Sequence, residues 1–322
     1  MALTSIQRAL PVVAGILKNG VGQILLAQRA GVSEAGKWEF AGGKIQPGEA
    51  ARAALARELN EELGIHIGAA QLLTCVRWRG APRALNLHAY EILDWQGEPT
   101  AHEHRALQWV APTQLIHYAM PAPDRPIRAR LALPPHYLIT PEPLSDASTF
   151  LDDLSLALAN PLIGIVSLRA KSLSAAALAN LAARFLARAR AQRPDLILLM
   201  HGEIELARQL GFDGVHLSAT QVTCLPQRPL GESSWVFASC HSQVELRAAQ
   251  ALGADAATLS PIKTTLSHPG QRPLGDQALS RASKGSFLPI YALGGMLPTD
   301  LATVRAAGAH GIAAIRGWWP AD

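Results

Sequence analysis

The sequence predicts two domains, an α+β domain followed by a parallel α/β domain, and three observations carry that prediction. Strand-like runs surround one strongly helical stretch in the first part of the chain. A cluster of prolines, Pro121, Pro123, Pro126, Pro134, Pro135, Pro141 and Pro143, then marks a change of character. Beyond it, short apolar runs alternate with Ala/Leu-rich helical stretches. A length of 322 residues accommodates two domains or one large barrel.

Taken in order, Val12–Leu17 and Gln23–Gln28 read as strands. A Gly-rich loop, Ala41–Gly48, leads into a helix over Glu49–Leu63, and further strands follow at Leu85–Ile92 and Leu107–Val110. Ile127–Leu133 can form a short helix inside the proline-rich stretch. In the second half, strands are expected at Tyr137–Thr140, Ile163–Arg169, Leu196–Met200 and Gly214–Leu217. Four more are expected at Trp235–Ser239, Ala256–Ser260, Pro289–Ala292 and Gly311–Ile315. Helical stretches such as Ala175–Ala191 and Val244–Leu252 lie between them. Eight strands with intervening helices fit a parallel βα architecture, closed as a barrel or open, because about 180 residues is short for a typical (β/α)8 barrel.

Charged residues make up 17% of the chain, fewer than an average globular protein carries, so packed cores are expected rather than disorder. The formal charge of +4 is mild, and no Lys/Arg run marks a nucleic-acid groove or a polybasic membrane patch. Cys75, Cys224 and Cys240 are odd in number and far apart, which fits neither a disulfide framework nor a zinc spacing. The apolar stretch Leu10–Leu17 is broken by Pro11 and Gly15 and lacks a cleavage pattern. No apolar run approaches the roughly 20 residues of a membrane span. A cytoplasmic protein with no membrane partner is expected.

The residues with chemistry lie on the helix. Glu58, Glu61 and Glu62 are three and four positions apart, which at about 100° per residue puts them on one face. Leu55, Leu59 and Leu63 supply an adjacent buried stripe. Clustered glutamates repel one another, and a hard divalent cation converts that repulsion into coordination. Arg57 can pair with a carboxylate and fix its rotamer. Gly42, Gly43 and Gly48 allow tight turns and close backbone approach to a bulky ligand.

The full string runs Gly43, five residues, Glu49, seven residues, then Arg57-Glu58-Leu59-Asn60-Glu61-Glu62-Leu63-Gly64-Ile65. It resembles the Nudix box at every fixed position. Leu25–Arg29, Trp38–Lys44, Leu85–Tyr90, Ala101-His102-Glu103-His104 and Trp109 are similar to the MutT branch of that family, and within it to CTP/5-methyl-dCTP pyrophosphohydrolases. The resemblance implies a Nudix domain over about residues 1–135. It also implies metal ions, Mg²⁺ by preference and Mn²⁺ as the other candidate, held by Glu58, Glu61, Glu62 and Glu103. Nucleoside triphosphates would be cut to monophosphate and pyrophosphate, and oxidised or methylated ones such as 8-oxo-dGTP would be removed from the pool that feeds DNA replication and repair. Glu58 is the first candidate for general base and Glu103 its rival, with Arg57 supporting the catalytic set.

The same resemblance places Arg29 and Lys44 at the phosphates and Trp38, Phe40, Gly43 and Asp124 around the substrate. Asp124 stands where the 8-oxo-dGTP specialist has an asparagine. An ionised aspartate accepts hydrogen bonds but donates none, which favours a broader or pyrimidine-tolerant pocket. His102 and His104 are expected to be solvated loop residues.

Residues from about Tyr137 to Trp319 resemble the thiamine phosphate synthase and thiazole tautomerase family, a compact TIM barrel. Ser167–Lys171, Gly211–Leu217, Ser239–Ser242, Gly253–Asp255, Ser260–Ile262 and Ala292–Gly295 carry the likeness. It implies a linker and first barrel strand over 136–148 and a barrel domain over 149–322. Where the family places its metal-binding Asn-Asp-Arg stands His201-Gly202-Glu203, and Gln221 replaces its second metal-binding aspartate. The tautomerase histidine is also missing, with Pro261 in that region. Arg169, Lys171, Gly294 and Gly295 remain as a phosphate site, and Arg316 could either join it or block it.

Three readings follow. The chain is a nucleotide-cleansing pyrophosphohydrolase with an accessory barrel, an enzyme of thiamine metabolism, or a sensor whose barrel binds a thiamine-related phosphate. None involves nucleic acid as a partner.

Overall fold

A computed structural model of the protein describes residues 9–320 apart from 32–33, 81–82, 143–145, 266–269 and 271. Pro143 and part of the expected 136–148 linker lie outside the described residues. Two compact units divide between Ala132 and Leu133.

The first unit is built on three small sheets. Its elements are β1 (Leu10–Ile16), β2 (Ile24–Gln28), β3 (Trp38–Glu39), α1 (Ala51–Leu63), β4 (His66–Ile67), β5 (Ala70–Trp78), β6 (Leu85–Ile92), β7 (Trp95–Gln96), β8 (Ala106–Val110) and α2 (Arg125–Ala132). In the mixed sheet β1-β6-β5, β1 runs parallel and β5 antiparallel to β6. An antiparallel sheet, β3-β2-β8, and a pair, β4-β7, complete the domain.

α1 packs Ala54, Leu55, Leu59 and Leu63, all fully buried, against Val13, Leu17, Leu25 and Ala27. A Cβ on Gly15 would stand 2.7 Å from a Leu59 methyl, so β1 approaches the helix closely enough to require glycine there. The helix stops at Gly64, whose φ of 71° gives the left-handed cap that releases the chain. It begins at Ala51 rather than at Glu49, because the Glu49 carboxylate instead accepts the Gln46 N–H at 2.9 Å and closes the preceding turn. β5 did not stand out in the sequence. Its buried positions fail to alternate, and its register slips between Leu72 and Thr74.

The second unit is a closed barrel of eight parallel strands. They are β9 (His136–Ile139), β10 (Ile165–Leu168), β11 (Ile197–His201), β12 (Gly214–Leu217), β13 (Trp235–Cys240), β14 (Ala256–Leu259), β15 (Ile290–Ala292) and β16 (Gly311–Ala314). Helices α3 (Ala147–Leu158), α4 (Ala175–Gln192), α5 (Ile204–Leu210), α6 (Ala219–Cys224), α7 (Gln243–Leu252), α8 (Gly275–Gly285) and α9 (Leu301–Ala306) connect them. Closure comes from β16 pairing with β9, Ile312 opposite His136 and Ala314 opposite Leu138. Near-continuous burial along each strand is what a sheet covered on both faces requires. Among the described residues no helix is long and apolar enough to cross a membrane. The three cysteines are free.

The barrel interior is partly polar. Tyr137, Phe237 and Tyr291 meet edge-on or stacked with centroids 5.6 to 5.8 Å apart. The Tyr137 hydroxyl lies 2.5 Å from His216 Nδ1, and His216 Nε2 lies 2.9 Å from Ser239 Oγ. His201 packs against His216 at 5.0 Å. Burial, then the charges of Lys171 and Arg169, pushes His201 down from 6.5 to about 4, and burial pushes His216 well below 6.5.

Both histidines bind protons more readily in the unfolded chain than in the barrel. The stability of the neutral barrel is therefore complete above 6.5 and falls as pH drops toward about 4. For His201 alone the loss is on the order of 3 kcal/mol. Urea denaturation of the full chain between pH 8 and pH 4.5 should show the barrel transition weakening below 6.5, and His201→Asn should flatten that trend. A pH-independent transition would contradict the burial of these rings.

Candidate active site

The helix face named by the sequence is assembled around one arginine. Arg57 Nε donates to Glu49 at 3.0 Å, and one terminal nitrogen donates to Glu58 at 2.9 Å and Glu61 at 3.1 Å. The other donates to Glu49 and to the Lys44 carbonyl, each at 3.1 Å. Its own proton is held more tightly than in an ordinary arginine, chiefly by the bonds to Glu49 and Glu58. The Gly-rich loop and the helix are thus tied together at the carboxylates.

Two glycines of the loop have separate reasons. A Cβ on Gly43 would fall 2.2 Å from Glu58 Oε2, so the Glu58 carboxylate occupies the space a side chain would fill. Gly42 has φ 147°, and a Cβ there would stand 2.2 Å from the Val13 carbonyl oxygen. Its N–H donates to Glu62 at 2.8 Å. Burial raises the Glu62 carboxyl to about 7 against the pull of His104 and the Gly42 N–H, with Glu39 and Glu58 pushing the same way as burial.

Glu103 is exposed in the loop before β8. That loop is pinned to α1 by His102 N–H donating to the Glu62 carbonyl at 3.1 Å and Thr100 N–H to that of Leu63 at 2.9 Å. His102 is exposed, as expected. His104 is not solvated: its side chain is 5% exposed, and its Nε2 lies 3.4 Å from Glu39 Oε1. Burial lowers the affinity of His104 for a proton, but the Glu39 hydrogen bond and the charges of Glu62, Glu39 and Glu103 outweigh it, and the net shift is upward.

Arg29 pairs with Glu39, while Lys44 is exposed. Trp38 is half-buried and meets Tyr118 edge-on at 5.4 Å. Phe40 is 3% exposed and belongs to the core. Asp124 is buried, and burial holds its carboxyl well above the usual carboxylate range, with Glu39 and Glu34 adding to the effect and Arg29 opposing it. Burial thus disfavours the ionised form on which the expectation of a broader pocket rested. Protonated, it offers one donor and one acceptor, as an asparagine does. Glu39, His104 and Tyr118 had no part in the sequence-based site, because no periodicity or box position marks them.

The donor set suits a hard divalent cation, being carboxylate oxygen throughout. Among the described residues no group of three or more His, Cys, Asp or Glu side chains converges as a ready-made cage. One Arg57 nitrogen holds both Glu58 and Glu61, while Glu62 turns away to the Gly42 N–H.

In the barrel, Arg169 donates to Glu142 at 3.1 Å. Lys171 is lowered from its usual value by burial and by Arg169. A cavity of about 370 Å³ is lined by Ser260, Pro261, Gly294, Gly295, Ile315 and exposed Arg316, among others. Gly294 and Gly295 have φ of 96° and 65°, and Cβ atoms there would meet Pro261 Cα at 2.8 Å and the Thr264 carbonyl oxygen at 2.6 Å. Gln221, at the start of α6, accepts from Ser218 at 3.0 Å and donates to the Gly202 carbonyl at 2.6 Å, which leaves its amide engaged within the protein.

Comparison with known proteins agrees with both halves. The NUDIX domain model matches residues 9–131, and the thiamine monophosphate synthase model matches residues 136–318. The CTP pyrophosphohydrolase of Escherichia coli (strain K12) is 42% identical over 121 residues, covering 37% of this chain and 89% of that protein. The chain belongs to the Nudix family and to the thiamine monophosphate synthase family. Its Nudix domain makes it a hydrolase. The 8-oxo-dGTP diphosphatase of Haemophilus influenzae is 37% identical over 105 residues, 32% of this chain and 77% of that protein. The thiamine biosynthesis bifunctional protein ThiM/ThiE of Symbiobacterium thermophilum is 34% identical over 153 residues, 47% of this chain and 32% of that protein.

The two loop glycines of the Nudix domain separate activity from stability. Gly43→Ala displaces only the mobile end of Glu58, so hydrolysis should fall at least about tenfold while the unfolding midpoint stays that of the native chain. Gly42→Ala forces a side chain against backbone at an unfavourable φ and should destabilise the domain by about 2 kcal/mol. Parallel kinetics and urea unfolding check both, and a stable, fully active Gly43→Ala chain would contradict the placement of Glu58.

Proposed function

We propose that the Nudix domain is a divalent-metal-dependent pyrophosphohydrolase that cuts oxidised or methylated nucleoside triphosphates to monophosphate and pyrophosphate. The observation that carries this reading is the gathering of Glu49, Glu58 and Glu61 around Arg57, beside a glycine loop in which Gly43 leaves room for the Glu58 carboxylate. Glu58, Glu61 and Glu62 would hold the metal, Mg²⁺ before Mn²⁺, with Glu103 able to join from its pinned loop. When bound, the cation offsets triphosphate charge and makes water more acidic.

The residues of the chain do the rest. Glu58, packed on Gly43 and oriented by Arg57, is the first candidate to take the proton from the attacking water, with Glu103 as rival. Exposed Lys44 supports the phosphates. Arg29, held by Glu39 and acting on Asp124, orders the base side of the site. A protonated Asp124 presents a donor and an acceptor, so it can address the edge of an oxidised purine as well as that of a cytosine. Removal of such nucleotides would protect DNA replication and repair.

The barrel favours a second role for its own domain. The Gly294/Gly295 cradle and the cavity beside Arg316 support binding of a phosphorylated, thiamine-related ligand. Gly202 and Gln221 stand where the synthase resemblance places metal-binding aspartates, and the Gln221 amide is already engaged, so the residues present do not fit the synthase metal. An accessory or ligand-sensing barrel fits better than a transferase.

A pyrophosphate-release screen of the full chain with Mg²⁺ tests the ranking, using 8-oxo-dGTP, 5-methyl-dCTP, 5-hydroxy-CTP, normal dNTPs and thiamine pyrophosphate. The highest kcat/KM should fall on an oxidised or methylated nucleotide. Glu61→Gln and Glu62→Gln should each keep the fold and lose at least about a hundredfold in rate, several kcal/mol of transition-state stabilisation. Turnover of thiamine pyrophosphate alone would invert the ranking, and full activity in both variants would remove the metal assignment.

A further inference from the structure

Among the buried ionisable side chains of the Nudix domain, His104 is one that neither the carboxylate helix nor the apolar core accounts for. His104 sits in the loop before β8 with its side chain 5% exposed. Its backbone neighbours are fixed on both sides: His102 N–H donates to the Glu62 carbonyl at 3.1 Å, and Arg105 N–H to that of Gln28 at 2.9 Å. The ring therefore enters the domain between α1 and the end of β2.

Its Nε2 lies 3.4 Å from one oxygen of Glu39, and the other Glu39 oxygen takes Arg29. Its Nδ1 is buried and meets no hydrogen-bonding partner among the described residues. Glu39 is thereby held from two directions. On one side its charge and that of Arg29 act on buried Asp124. On the other, the charges of His104 and Glu39 both act on Glu62, which also accepts the Gly42 N–H. His104, Glu39 and Arg29 thus form one cluster, and His104 directly follows Glu103 in the loop pinned to α1.

We propose that His104 is a positioning residue for pyrophosphate release, fixing Glu39 and through it Arg29, and anchoring beside α1 the loop that carries Glu103. The proposal rests on the Nudix reading above. Its logic is that of carboxylates around metals in general: their hydrogen-bonded neighbours orient them, and loss of such a neighbour weakens the ion. Sequence spacing does not reveal the role, because His104 acts across strands rather than along the helix.

The test uses the full chain and two readouts. Titration calorimetry measures Mg²⁺ affinity directly, and kinetics with 8-oxo-dGTP and CTP give kcat and KM separately. His104→Ala should weaken Mg²⁺ binding about tenfold or more and lower kcat, with KM within about twofold of the native value. His104→Gln should recover most of both losses, since its amide N–H can reach Glu39 as Nε2–H does. Should His104→Ala fail to fold, Glu39→Gln carries the test, with the same weakening of Mg²⁺ binding expected. Native Mg²⁺ affinity in a folded His104→Ala chain overturns the proposal, and so does a His104→Gln chain as impaired as His104→Ala. Native affinity in Glu39→Gln overturns it as well. A native chain that hydrolyses neither nucleotide would instead sink the Nudix reading itself.

Discussion

Arg57 binds three carboxylates and one carbonyl at once, and the arrangement of the Nudix site depends on it. Glutamates three and four positions apart on a helix repel one another, and Glu58, Glu61 and Glu62 have no helix-stabilising reason to be neighbours. A planar guanidinium with five donors can answer several of them in fixed directions, which an ammonium cannot. Through the Lys44 carbonyl the same side chain ties the glycine loop to the helix, so loop and carboxylates form one unit. The loop answers in kind, because the empty place of a Gly43 side chain is where the Glu58 carboxylate lies.

Burial then sorts the remaining acids. Glu61 stays half exposed, whereas burial lifts Glu62 to about 7 and Asp124 far above an ordinary carboxylate. Burial thus gives Glu62 and Asp124 a grip on a proton that an ordinary carboxylate lacks. Glu39 links them: Arg29 and His104 hold it, and its charge reaches both. The barrel shows the same principle with the opposite sign, since desolvation keeps His201 and His216 neutral.

Much of this was legible in the residues. Barrel strands such as Gly214–Leu217 read clearly because buried runs bounded by turn residues leave few alternatives. Closure came only from the likeness to a TIM-barrel family, because it depends on β16 meeting β9, a pairing that no local pattern records. β5 escaped because a bulge breaks its alternation, and β3, β4 and β7 are two residues each, too short for any period. In the site, the box was legible through its resemblance over the full string from Gly43 to Ile65, which helical spacing alone does not supply. Glu39 and His104 were not, since they meet across loops and strands. The raised proton affinity of Asp124 was hidden for a simpler reason: its composition is that of an acid, and only the fold removes the water.

The two domains have diverged from their resemblances to different degrees. The Nudix box is complete, while the barrel keeps its glycine cradle and engages Gln221 in a bond to Gly202. The central claim is therefore that the carboxylate helix cleaves a nucleoside triphosphate between its α- and β-phosphates with a divalent ion. Phosphorus NMR of the products formed from 8-oxo-dGTP and CTP by the full chain tests this most directly. The account predicts nucleoside monophosphate and pyrophosphate in equal amounts, both abolished by EDTA. Nucleoside diphosphate with orthophosphate, or turnover indifferent to EDTA, would contradict it.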